Sequence, residues 1–165
     1  MFTKKGFTLI ELFVTLAVIG LLLVLAGTAF KLASHKNNDA RRVTDVSNII
    51  ISFSAAAEDG AVLCNASGSD FCSAGSLVHE CAIYQKTCSG AAEEDVANEY
   101  INLQNVKDPV YLGACEQEFY SECGYTFVEL TDISEFTIGF STQGDSIQGL
   151  GLGHSHSANQ DGFVY

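Results

Sequence analysis

The chain has 165 residues, with 20 acidic side chains against 8 basic ones, a formal charge of −12, six cysteines, one proline and no tryptophan. That length allows one soluble domain beside a membrane segment, and so acidic a surface argues against a nucleic-acid binder, because phosphate affinity rests largely on Lys and Arg. The imbalance lies past Asn37, where every acid except Glu11 stands and the bases are Arg41, Arg42, Lys86 and Lys107.

The first element is apolar. After Met1-Phe-Thr-Lys-Lys-Gly6, the residues from Leu12 to Phe30 carry no charged side chain. Phe7 to Phe30 makes about 36 Å of helix at 1.5 Å per residue, enough to cross a hydrocarbon core of about 30 Å. Glu11 sits inside this run near its start. A charge at a membrane centre costs roughly 2.5–3.5 kcal/mol or more, so Glu11 calls for a partner. A secretory signal peptide competes for the same residues, with Lys4 and Lys5 as its n-region and Ala26-Gly27-Thr28-Ala29 as its cleavage site. Its apolar region would be unusually long, since about 7–15 residues is usual, and it leaves Glu11 unexplained.

Lys4-Lys5-Gly6-Phe7-Thr8-Leu9-Ile10-Glu11-Leu12 resembles the class III leader and N-terminal helix of type IV prepilins and type II secretion pseudopilins. The resemblance is firm from Gly6 to about Phe53. It implies cleavage by a membrane-bound prepilin peptidase between Gly6 and Phe7, followed by N-methylation of Phe7. It also gives Glu11 an assembly role, pairing with the freed amine of Phe7. The spacing suits that: positions i and i+4 share a helix face, a buried amine and carboxylate lower each other's desolvation cost, and one buried polar contact can set helix register. Many members of the family have a proline near the position of Thr28; its absence here points toward a minor subunit.

Beyond Phe30 the helical period continues. Val43, Val46, Ile50, Phe53 and Ala57 form an amphipathic stripe, with Arg41, Arg42, Asp45 and Asn48 expected on the other faces. One helix from about Thr8 to about Ala57 should end at Glu58-Asp59-Gly60. The next stretch, Ala61 to Asn105, reads as loop around Asn65–Asp70, with short helical turns over Ser76–Lys86 and Glu93–Gln104. From Pro109 onward Val110–Gly113, Tyr125–Leu130 and Phe136–Phe140 read as strands of a small antiparallel sheet packed on the Val43–Phe53 stripe. The glycine-rich tail is expected to be an exposed loop ending in a short edge strand at Gly162-Phe-Val-Tyr165.

Six cysteines, Cys64, Cys72, Cys81, Cys88, Cys115 and Cys123, all follow the apolar helix. They imply disulfides and an oxidising compartment, which places the C-terminal part outside the cytoplasm. Charge bias leans the other way, because Lys31, Lys36, Arg41 and Arg42 outnumber Lys4 and Lys5; the cysteines and the leader outweigh that statistical rule. Cys115 is expected to pair with Cys123, and Cys64–Cys72 with Cys81–Cys88 is the simplest scheme for the rest. No Cys-x-x-Cys pair supports zinc. His154, His156 and Asp161 sit in the tail, and Asp145 and Asp161 are too few acids for the calcium loop of major pseudopilins. No cofactor or metal is expected, and no catalytic spacing appears.

The expected fold is α+β: residues 1–6 as leader, 7–30 as transmembrane and assembly helix, and 31–165 as an extracytoplasmic head that includes the second half of the helix. The expected function is a structural subunit, held in the inner membrane and then polymerised through its apolar helix into a pilus at the cell surface. Its partners would be other pilin subunits, the prepilin peptidase, an inner-membrane assembly platform and the lipid bilayer, with no direct nucleic-acid binding. The alternatives are a pseudopilin of a type II secretion system, a membrane-anchored binding domain that does not polymerise, and a secreted disulfide-rich enzyme released at Ala29.

Overall fold

The computed structural model describes residues 8–85, 87–88, 99–115, 122–144, 146–147, 151–152 and 155–164. The chain divides into two compact units, Met1–Lys36 and Asn37–Tyr165. One helix, α1 (Leu9–Glu58, 50 residues), is followed by small antiparallel sheets. This is the α+β arrangement of the type IV pilin kind that the sequence leads one to expect.

Within the first unit the large apolar side chains of α1 are solvent-facing all round, from Leu9 and Ile10 to Phe30 and Leu32. The helix is long and apolar enough to cross a membrane. Within the second unit α1 becomes one-sided, burying Asp39, Arg42, Val46, Ile49, Phe53 and Ala56. The buried stripe is therefore turned by about one residue from the expected one: Val43, Ile50 and Ala57 are only partly buried at its margin. Arg42, expected on a polar face, is wholly buried. Two carboxylates described below make that tolerable, and its guanidinium takes the place an apolar residue would fill.

The main sheet has four strands in the order β3 (Thr126–Asp132), β4 (Glu135–Ser141), β7 (Ser155–Asn159), β8 (Gly162–Val164), all antiparallel. One residue of each of the first two strands, Phe127 in β3 and Phe136 in β4, meets Phe53 of α1. Phe53 stacks 6.0 Å from Phe127 and meets Phe136 edge-on at 5.0 Å. Such ring pairs add about 0.5–1.5 kcal/mol beyond simple burial. The β3–β4 turn is closed by Asp132, whose Oδ1 accepts from Ser134 N at 2.7 Å, Ser134 Oγ at 2.6 Å and Glu135 N at 3.0 Å. These bonds, the Ser134 hydroxyl's foremost, hold the carboxyl below its ordinary pKa.

The tail is not an exposed loop. Beyond the short pair β5 (Ser146–Ile147) and β6 (Gly151–Leu152), β7 pairs with β4 from Thr137↔Asn159 to Ser141↔Ser155. His156 is buried, with Nε2 3.1 Å from Thr142 Oγ1 and its ring beside Phe140. The expected edge strand is present as β8, entered through Gly162 at φ +119°, a conformation that favours glycine. His154 and Asp145 lie outside the described residues.

A second ribbon joins β1 (Val62–Asn65) to β2 (Cys81–Tyr84). Neither strand was expected. Ser76–Lys86, expected as helical turns, holds only a 3-10 turn at Val78–Glu80 before β2, whose four residues are all buried. Of Glu93–Gln104, the described part has a 3-10 turn at Leu103–Asn105 and no α-helix; residues 93–98 lie outside the described set. Val110–Gly113 forms no strand either. Its backbone is drawn instead onto Asp108 and, through Gly113 O, onto Gly124 N at 2.8 Å. Gly124 must be glycine here, since a Cβ would stand 2.9 Å from Tyr111 O.

The cysteines pair as Cys64–Cys88, Cys72–Cys81 and Cys115–Cys123. The expected Cys64–Cys72 and Cys81–Cys88 bridges are thus corrected. The reason is the two-residue period of a strand. In the ribbon Cys64 lies opposite Ala82, and Cys81 lies opposite Asn65, so Cys64 and Cys81 leave on opposite faces. Cys64, Ala82, Tyr84 and Cys88 form one small cluster, whereas Leu63, Cys81 and Ile83 belong to the main core, with Cys72 packed against it.

Candidate functional site

Of the motif residues at the N-terminus, Gly6 and Phe7 lie outside the described residues; Thr8, Leu9, Ile10 and Glu11 are described. Thr8 precedes the first residue of α1 and caps it. Glu11 N donates to Thr8 Oγ1 at 3.3 Å, while Thr8 N and Thr8 Oγ1 both donate to Glu11 Oε2 at 3.1 Å. This reciprocal pair is a capping box, which satisfies two backbone donors that a helix start otherwise leaves open. Leu12 N then makes the first helical bond, to Thr8 O at 3.3 Å.

Glu11 therefore has a partner within its own chain that reading for charge alone missed. The signal was in the sequence as Thr8-x-x-Glu11, the capping-box spacing. The carboxylate sits in the first turn, where negative charge suits the helix dipole. The described bonds to it all use Oε2. A carboxylate offers about four lone-pair sites, so the cap leaves room for a cation on Oε1.

In the second unit a buried ionic cluster fixes loops to α1. Arg42 Nε donates to Asp108 Oδ2 at 2.6 Å, Nη2 to Asp108 Oδ1 at 2.8 Å, and Nη1 to Asp39 Oδ1 at 2.6 Å. Tyr111 lies over the guanidinium, 5.2 Å from its ring centre. Asp108 Oδ1 also accepts Val110 N and Tyr111 N at 2.8 Å, and Asp39 accepts Gln143 N and Gly144 N at 2.8 Å. Burial works against the charge on Arg42, yet the bonds and attraction from Asp108, then Asp39, prevail and raise its pKa. Sequence spacing places Asp39 and Arg42 on one helix face, but nothing in it points to Asp108, 66 residues on.

Other polar contacts tie the second half of α1 and the residue after it to their surroundings. Tyr125 Oη donates to Asp45 Oδ2 at 3.0 Å, Ile101 N donates to Ser52 Oγ at 3.1 Å, and Tyr100 Oη donates to Asp59. The Cys115–Cys123 loop is anchored to the sheet through Cys115 N to Thr126 Oγ1 at 2.8 Å and Cys123 N to Ser141 Oγ at 3.1 Å. A cleft between β1 and the β3–β4 turn is lined by Ala61, Leu63, Phe71, Leu130 and Ile133. Asp132 borders it, but that carboxylate is occupied in capping the turn. Among the described residues no group of three or more His, Cys, Asp or Glu side chains is gathered as for a metal ion.

Residues 1–27 match the family model of the prokaryotic N-terminal methylation motif, the class III leader of type IV pilins and pseudopilins. No curated protein and no solved structure matches the chain.

Proposed function

We propose that this chain is a structural subunit of a type IV pilus-like filament. The observation that carries this reading is the methylation motif of residues 1–27, which runs into the start of a helix, Leu9–Glu58, long and apolar enough to span a membrane. Prepilin peptidase cleaves after Gly6 and methylates the amine of Phe7. Until assembly the subunit rests in the inner membrane through residues 7–30, with residues 31–165 outside, where the three disulfides form. On assembly the apolar face of α1 leaves lipid for its neighbours' helices. The Phe7 amine of one subunit then meets Glu11 of another on the oxygen that the Thr8 cap leaves open. Pilin and secretion pseudopilin share this design, and electron microscopy of cells with and without the gene tells surface pili from a pseudopilus.

The direct test is the intact mass of the mature chain. It should begin at N-methyl-Phe7. A mature chain that begins at Ala29 or later would overturn the reading and leave an ordinary secretory signal in its place.

A further inference from the structure

The two bridges around the β1–β2 ribbon are nested: Cys64–Cys88 spans 24 residues and encloses Cys72–Cys81, which spans 9. Ribbon register selects them, because it sends Cys64 and Cys81 to opposite faces. Neither face exists in the unfolded chain. There the closure cost changes slowly with loop length, and Cys64–Cys72 closes a loop of nearly the same size as Cys72–Cys81. Export order adds a bias. With the N-terminal helix held in the membrane, Cys64 and Cys72 follow it most closely and meet the oxidant first. Their pairing leaves Cys81 and Cys88 to each other, and Cys115–Cys123 is consecutive already.

That product has no way out by itself. Exchange starts from a thiolate, and with six cysteines in three bridges the chain keeps none. Nor can the native ribbon form around it, since Cys88 sits on the Cys64 face and a bond to Cys81 would pull it to the other.

We propose that the head reaches its native bridges through an extracytoplasmic disulfide isomerase, a partner that presents a reactive thiolate. This rests on the reading that the head is exported. A thiol oxidase in its disulfide form supplies the first three bridges, accepting two electrons for each. The isomerase thiolate then attacks Cys72 Sγ, breaks the Cys64–Cys72 bond and frees the Cys64 thiolate. Cys64 attacks Cys88 Sγ, forms Cys64–Cys88 and frees Cys81. Cys81 attacks Cys72 Sγ in the mixed disulfide, forms Cys72–Cys81 and returns the isomerase thiolate. Two of the three bridges are rearranged and the total stays at three, so the exchange consumes no oxidant.

The full chain is produced in cells with and without their extracytoplasmic isomerase, thiols are blocked at harvest, and bridges are mapped by peptide analysis without reduction. Loss of the isomerase should lower the Cys64–Cys88 and Cys72–Cys81 peptides several-fold, either with a rise in Cys64–Cys72 or with loss of the protein. The Cys72→Ser/Cys81→Ser and Cys64→Ser/Cys88→Ser variants leave only consecutive partners, and their yield should be the same in both cells. Equal amounts of nested bridges in both cells overturn the proposal. So does an isomerase dependence of both double variants as large as that of the natural chain. Failure here leaves the mass test for N-methyl-Phe7 unaffected, so the two readings fall separately.

Discussion

Arg42 and Asp108 form a two-pronged ion pair, Nε to Oδ2 at 2.6 Å and Nη2 to Oδ1 at 2.8 Å, with both side chains out of contact with solvent. The pair joins the helix to a segment far along the chain, and Asp39 adds the β4–β5 connection through Gln143 N and Gly144 N. One guanidinium thus holds three parts of the head in register.

The first prediction follows from what remains when the guanidinium is removed. Arg42→Met fills similar space but leaves Asp39 and Asp108 buried without a counter-charge. Breaking one side of a buried pair costs about 3–5 kcal/mol. Adding Asp108→Asn should recover part of the loss, because the amide oxygen still accepts Val110 N and Tyr111 N. Urea unfolding of the mature chain in a neutral detergent measures both variants. A loss below about 1 kcal/mol for Arg42→Met, the range of an exposed ion pair, would show that the cluster is open to water.

The long helix is legible because its signals agree: an uncharged run, a polar half with helical period, and a Glu-Asp-Gly stop. The stripe was read one residue off because Arg42 was assigned to water, and only Asp108 makes its burial possible. β1 was missed because Val62-Leu-Cys-Asn65 is too short to show alternation. The bridges were then ranked by nearness in sequence, which ignores the faces that alternation creates. The glycines around His156 signal an exposed loop, whereas register with Phe140 buries it. The Thr8–Glu11 cap is legible in the sequence as Thr8-x-x-Glu11, a spacing that an argument from the cost of a charge in lipid does not use.

The second prediction separates two roles of Glu11. Glu11→Gln keeps a side chain able to complete the capping box but removes the charge that meets an amine. Thr8→Val removes the cap and keeps the charge. Filament yield, by shearing and electron microscopy, should fall sharply in Glu11→Gln and Glu11→Ala and only modestly in Thr8→Val. The cap is worth about 0.5–2 kcal/mol to the helix start. Head bridges should map as in the natural chain in every variant, since Thr8 and Glu11 belong to the first unit and all six cysteines to the second. Full assembly by Glu11→Gln would assign the residue to capping alone.

The third prediction concerns alkaline pH. Burial first, then the charge of Asp45, raises the pKa of the Tyr125 phenol. The folded state therefore holds this proton more tightly than the unfolded one. Its contribution to stability is complete below the unfolded pKa of about 10 and is lost as pH rises above that value toward the folded pKa. Tyr125→Phe gives up the bond to Asp45, worth about 0.5–1.5 kcal/mol at neutral pH. In return its stability should decline less steeply above pH of about 10. Urea unfolding at neutral and alkaline pH compares the slopes, and equal slopes would mean that Tyr125 does not contribute to the alkaline loss.

The last prediction is that the head does not bind duplex DNA. Binding requires several cations that can neutralise phosphates and release their counterions. Past Asn37 the chain has Arg41, Arg42, Lys86 and Lys107 to set against its acids. Arg42 is committed to Asp39 and Asp108 and has no exposed surface. Arg41 is half exposed, but its Nε lies 3.5 Å from Asp45 Oδ2, and a phosphate there would face that carboxylate. Lys107 is exposed, but the charged residue next to it in the sequence is an acid, Asp108, and not a second base. Lys86 lies outside the described residues and is at most one more charge. Two or three separated cations supply too little counterion release to hold a duplex against so acidic a surface. In a gel-shift assay at physiological salt, the oxidised segment Asn37–Tyr165 at low micromolar concentration should leave a short duplex unshifted. A shift that weakens as salt is raised would overturn the charge argument and make the head itself a candidate for DNA capture.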